Sequence, residues 1–182
     1  MDAQHRDRLQ QALWPAGATP ALSVWAVLDG ARDPRIHKAL FESRLEFRCL
    51  FAGPLERELE LAAPQLVELL PGHRLTLRLL DEGFRESWGI LLRIADPANL
   101  RHHLRTLLRV QDEDGRKLLF RYYDPRVLRV YLPTCTPDEL RQIFGPIDSL
   151  LCEGEGGELL EFRRRNGLLH RGVPVAVETA SH

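Results

Sequence analysis

Three Asp-Pro dipeptides, Asp33-Pro34, Asp96-Pro97 and Asp124-Pro125, each stand between an apolar run and a segment of helical periodicity. An aspartate carboxylate at such a point accepts hydrogen bonds from the unpaired N–H groups of a first helical turn, and the fixed φ of proline suits the position that follows. Repeated caps of this kind commit the chain to alternating strands and helices, so Asp33, Asp96 and Asp124 are read as structural caps. The longest example is LLFRYYDPRVLRVYL, Leu118 to Leu132, which reads as a buried strand entering a helix at Asp124.

The rest of the pattern extends this alternation. Residues 2–13 read as a short polar helix stopped by Pro15 and Gly17. Ala21 to Leu28 is apolar on both faces, the mark of a strand covered twice, and Asp29-Gly30 turns the chain. A helix over Pro34 to Ser43 puts Ile36, Ala39 and Leu40 on one stripe. Glu46 to Phe51 reads as a strand, LERELELA after Gly53-Pro54 as a short helix, QLVELL as a short strand and His73 to Asp81 as weakly helical. Trp88 to Ile94 reads as a buried strand. The helix over Pro97 to Leu108 turns Leu100, Leu104, Leu107 and Leu108 inward and leaves Arg101, His102 and Arg105 wet. Val110 to Asp112 and Lys117 to Tyr123 form an expected hairpin about Glu113-Asp114-Gly115. Val127, Val130 and Tyr131 are expected on the buried face of the next helix, and Leu140, Ile143 and Phe144 on that of the helix over Pro137 to Phe144. Leu150 to Cys152 and Leu159 to Phe162 read as a last strand pair about a Gly/Glu loop, and the last twenty or so residues as tail. The class is α/β, a mixed β-sheet covered by amphipathic helices. Residues 1–148 read as one domain and 149–182 as a short C-terminal extension, a hairpin plus tail.

Composition narrows the function classes. A chain of 182 residues buries enough surface to fold without disulfide or metal. Its 25 Lys+Arg against 26 Asp+Glu leave a net charge of -1, without the basic excess usual in nucleic-acid binders. Lys38 and Lys117 are the only lysines, so the cationic surface is arginine, the side chain suited to planar ion pairs at interfaces. Cys49, Cys135 and Cys152 are odd in number and far apart, which reads as free thiols of a reducing compartment. No run approaches the ~18 apolar residues of a membrane span, and the polar start MDAQHRDRLQQALW has no signal-peptide core. A cytoplasmic protein without membrane or nucleic-acid partners is expected.

Reactive constellations are sparse. EGEGGE, Glu153 to Glu158, has no lysine and no GxGxxG spacing, and its glutamates would repel a phosphate. No serine sits on a GxSxG elbow, and nothing ties Cys135 of PTCTP to a histidine. His102 and His103 are adjacent and point about 100° apart on a helix, not at the i, i+4 spacing of a helical ligand pair. Asp124 stands where a strand meets a helix, with Arg121 and Arg126 close in sequence, so an enzyme using Asp124 with His102 or His103 is the alternative reading. Capping already accounts for Asp124. No catalytic residue, cofactor or metal is expected. Arg121, Tyr123, Arg126 and Arg129 are of the types that anchor protein interfaces. In the expected strand Leu119, Arg121 and Tyr123 share one face, and Leu118, Phe120 and Tyr122 the other. Arg163 and Arg164, in the RRR run beside the acidic loop, are further partner-binding candidates. The competing account of all six is a solvated face with internal salt bridges.

WAVLDGARDPRI, CLFAGPLERELELAAPQLVEL, SWGILL, LRHHLRTLLRVQDEDGRKLLFRYYDPRVLRVYLPT and FGPI follow in order over about residues 22–148, FRYYDPRVL being the most specific. On these motifs the chain resembles the effector-chaperone, or adaptor, family of bacterial type VI secretion systems, catalogued as a domain of unknown function. The resemblance implies a non-enzymatic protein that binds a toxic effector in the producing cell and helps mount it on the VgrG spike. The implied partners are therefore a cognate effector toxin and the spike protein, met by an adaptor domain over residues 1–148. Many members carry a larger C-terminal lobe. Here the stretch after Gly145-Pro146 is short, so cargo recognition would fall on the core domain and Leu150 to Arg165.

Overall fold

The computed structural model describes residues 3–17, 21–111 and 114–176. Strands β1 (Ser23–Asp29), β2 (Phe47–Cys49), β3 (Pro64–Leu69), β4 (Gly89–Ile94), β7 (Ser149–Glu153), β8 (Leu159–Arg165) and β9 (Leu168–Val175) form one sheet in the order β2-β3-β1-β4-β7-β8-β9. Strands β5 (Arg109–Gln111) and β6 (Lys117–Leu119) form a separate ribbon. Within this α/β architecture every strand pair is antiparallel.

The apolar character of β1 on both faces requires cover on both sides. Val24, Ala26 and Leu28 enter one core, with Leu9 and Leu13 of α1 (Ala3–Leu13), Ile36 and Leu40 of α2 (Pro34–Ser43) and Leu75 of α4 (Arg74–Arg78). Val27 enters the other, with Leu100 and Leu104 of α5 (Leu100–Leu107), Leu128 of α6 (Pro125–Tyr131) and Phe144 of α7 (Pro137–Phe144). The result is three layers, helices on either side of one sheet. Helix α3 (Arg57–Ala62) buries none of its residues. Gly30, after β1, has no room for a side chain, because a Cβ there would run into the Leu61 and Ala63 carbonyl oxygens.

Several sequence expectations are corrected. The strand expected over Lys117 to Tyr123 ends at Leu119, and Leu118 and Leu119 are about half exposed. Tyr122 and Tyr123 are both buried, which a strand with alternating faces cannot do for neighbours on a half-covered ribbon. The chain therefore leaves the ribbon after Leu119 and turns both rings inward. The buried stripe of α6 is Leu128, continued by Leu132, whereas Val130 is 71% exposed. Helix α5 begins at Leu100 after Asn99; Asp96 accepts instead from the Ala98 N–H at 3.0 Å, capping the turn that leads in. The segment past Arg165 that reads as tail contains β9, paired to β8 from Arg165↔Leu168 to Leu159↔Val175. Residues 149–175, set apart in the sequence as an extension, join the main sheet, β7 pairing with β4. Asp112 and Glu113 of the expected hairpin turn, and residues 177–182 of the expected tail, lie outside the described residues. Cys49, Cys135 and Cys152 are free thiols, and no helix among the described residues is long and apolar enough to cross a membrane.

Phe162 of β8 is 1% exposed and belongs to the core under α5–α7, so Phe162→Ala is expected to lower the unfolding free energy in urea by about 3–5 kcal/mol. Val173→Ala, at a side chain 50% exposed on the outermost strand, is expected to cost less than about 1 kcal/mol in the same measurement.

Candidate functional site

After Ser23, strand β1 is apolar up to its last residue. Asp29 is 2% exposed, and one carboxylate oxygen accepts from the Ala31 N–H at 3.1 Å while the other meets the Arg121 guanidinium. Arg121 arrives from the turn that delivers the two tyrosines. The same guanidinium lies 3.7 Å from Asp124, so one arginine bridges two buried carboxylates.

Asp124 is the N-cap of α6 and accepts from the Arg126 N–H at 3.0 Å. Its two oxygens also take the Arg126 side chain in a fork, Nε at 2.9 Å and Nη2 at 2.7 Å. Burial raises the Asp124 pKa, but the Arg126 hydrogen bonds and the charges of Arg126 and Arg121 outweigh it, and the net shift is downward. Tyr123 packs beside this cluster; burial, then the Asp29 charge, pushes its phenol up to about 12. Tyr122 donates from its hydroxyl to the Leu104 carbonyl at 3.0 Å, tying the turn to α5.

One helical turn on, Arg129 donates to the Glu153 backbone carbonyl at 2.8 Å. The Glu153 carboxylate accepts from the Arg85 N–H at 2.5 Å, and from the Ser87 N–H and hydroxyl at 3.1 and 2.9 Å. Arg85 and Ser87 both have positive φ, at 76° and 55°, so this carboxylate braces a loop of left-handed non-glycine residues. Strands β1 and β7 are both antiparallel to β4 and thus run in the same direction. Asp29 and Glu153, their last residues, therefore mark one end of the sheet, and α6 lies across that end.

Of the other candidates, Arg163 donates to Glu161 at 2.7 Å, and Glu161 also pairs with Arg93, which is 2% exposed. Arg93 further donates to the Ser149 hydroxyl at 2.9 Å and the Ala12 carbonyl at 3.2 Å. Arg164 is exposed on β8. Asp33 caps α2 through the Arg35 N–H at 2.8 Å. The structure does not gather the residues of the enzymatic alternative. A ring nitrogen of His103 lies 2.9 Å from the Ile143 carbonyl, and the ring fills the space a Cβ at Gly145 (φ 48°) would need. His102 is exposed and lines a cleft with Phe51, Arg105 and Leu119, away from Asp124. Among the described residues there is no group of three or more His, Cys, Asp or Glu placed to hold a metal ion.

Asp29, Glu153 and Arg93 are the charged groups that sequence reasoning passed over. Each is a lone charge at the end of, or inside, an apolar strand, and that mismatch was the available signal. Arg121→Met strands the buried Asp29 carboxylate and is expected to lower stability by about 1–3 kcal/mol in urea denaturation. Arg126→Met, at a side chain 50% exposed, is expected to cost less than about 1 kcal/mol. Burial raises the Glu153 pKa above its ordinary 4.5, more than its hydrogen bonds lower it. A carboxyl raised in the folded state binds its proton more tightly there, so its contribution to stability grows as pH falls from neutral towards 4.5. Urea titrations across that range should show wild type gaining on Glu153→Gln as the pH drops.

Over residues 24–142 the chain matches the family described as a domain of unknown function, DUF4123. No curated protein and no solved structure matches it. The matched stretch opens in the central strand β1, closes within α7 and encloses the Asp29, Arg121 and Asp124 cluster, and the chain accordingly belongs to the DUF4123 family.

Proposed function

We propose that the chain is a non-enzymatic adaptor that binds a type VI secretion effector in the bacterial cytoplasm and helps load it onto the VgrG spike. The observation that carries this reading is the family match over residues 24–142, since the family is associated with effector adaptors of type VI secretion. The fate of the candidate catalytic groups supports it: Asp124 is engaged by Arg126, and His103 lies against the Ile143 carbonyl. Groups so engaged build a scaffold and leave binding to the surface. Arg126 and Arg164, which reach solvent, are the proposed partner contacts. Arg121, Tyr123, Arg129 and Arg163 are proposed to serve by holding that surface in shape.

The test is co-expression of the tagged chain with the effector and spike genes of its own cluster, followed by affinity purification. A complex containing the effector, and one containing the spike, are the expected results; a chain that emerges alone from both rejects the reading. Arg164→Glu and Arg126→Met are each expected to weaken the complex by about 10-fold, a difference of ~1.4 kcal/mol, with the protein still folded. Undiminished binding would remove those side chains from the contact.

A further inference from the structure

Two clefts of about 540 and 550 Å³ meet along α5, and Phe51, Leu55 and Arg105 line both. The first adds Arg109 and Leu119, the second Arg48, Arg101 and Glu60. Among the described residues, four arginines and one carboxylate thus line the trough. Two of them have acceptors within the protein: Arg48 pairs with Glu46 at 2.8 Å, and Arg101 donates to the Cys49 carbonyl at 3.0 Å. Among the described residues, the side chains of Arg105 and Arg109 have neither a hydrogen-bond nor an ion-pair partner. They differ in this from Arg121, Arg126 and Arg129 of the α6 cluster.

Apolar surface adjoins these two cations. Val110, Leu118 and Leu119 on the β5–β6 ribbon are 38%, 49% and 50% exposed. Leu119 opens into the trough beside Arg109. Aliphatic surface left uncovered next to unanswered guanidinium groups is complementary to a polypeptide carrying carboxylates and apolar side chains together. A nucleic-acid strand would answer the arginines and leave the leucines wet.

We propose that this trough is the docking surface for an acidic amphipathic segment of the effector. Carboxylates of that segment pair with Arg105 and Arg109, and its apolar side chains cover Phe51, Leu55 and Leu119. The proposal deepens the adaptor reading and rests on it for the source of the segment.

The experiment uses the whole chain and fluorescence anisotropy with three labelled helical peptides of equal length. One combines Glu and Leu, one combines Lys and Leu, and one combines Glu and Ser; a single-stranded RNA is the fourth probe. The Glu/Leu peptide is expected to bind about 10-fold or more tighter than the other probes, and Arg105→Glu, Arg109→Glu or Leu119→Ser to remove that preference. Equal binding of the Glu/Ser peptide or the RNA overturns the proposal, as does a Glu/Leu affinity that the substitutions leave intact. In the second arm the Arg105→Glu/Arg109→Glu double variant is co-expressed with the effector. Effector retained by wild type and lost by the variant, both melting alike, supports the docking surface. Effector retained equally by both overturns the docking surface and leaves the adaptor reading standing. Effector retained by neither rejects the adaptor reading, and with it the effector as the source of the segment.

Discussion

A carboxylate buried at the end of a central strand has to be answered, and in this molecule Arg121 answers it. Asp29 follows five apolar residues, Val24 to Leu28, and leaving it unpaired would cost more than most single contacts contribute. Arg121 can reach it only because the chain leaves the β5–β6 ribbon early, and that departure also buries Tyr122 and Tyr123. The next residue caps α6, and the last turn of α6 places Arg129 over the end of β7. The segment from Arg121 to Arg129 is thus a clasp across one end of the sheet, fastened at β1 and at β7.

Much of this was legible. Strand β1, α2 and α7 lie close to where hydrophobic periodicity and Asp-Pro or Thr-Pro punctuation put them, because local signals and burial agree there. Thr136 even closes a capping box with Glu139. The misreadings arise where burial depends on distant partners. Alternation in LLFRYY suggested one strand, yet Tyr122 and Tyr123 turn inward together to meet α5 and Asp29, neither of which is near in sequence. Val130 looked like core and points outward, since the phase of α6 is set by the cap and the sheet beneath it. β9 carries Gly172 and Pro174 and a register irregularity opposite Leu159 and Glu161, so no clean period of two survives there. The arginine-rich motif was legible as a cluster. That its members face inward to Asp29 and Glu153 was not, because sequence does not give their exposure.

The cationic side chains divide into two populations. Those of the α6 region spend their charge within the molecule, on Asp29, Asp124 and the Glu153 carbonyl. Those at the C-terminal end of α5 do not. The near-zero net charge conceals this division. A surface can be polar on average and still hold one place where positive charge and apolar area lie side by side.

Strand order also bears on how the chain is completed during synthesis. β4 follows its neighbour β1 without waiting for the C-terminal strands, but its other neighbour, β7, is made more than fifty residues later. Until then β4 is an open edge, with backbone donors and acceptors free to pair with another chain. The Arg129 fastening of the clasp is likewise impossible, for Glu153 does not yet exist. Three of the seven strands of the sheet, β7, β8 and β9, are made only after that interval.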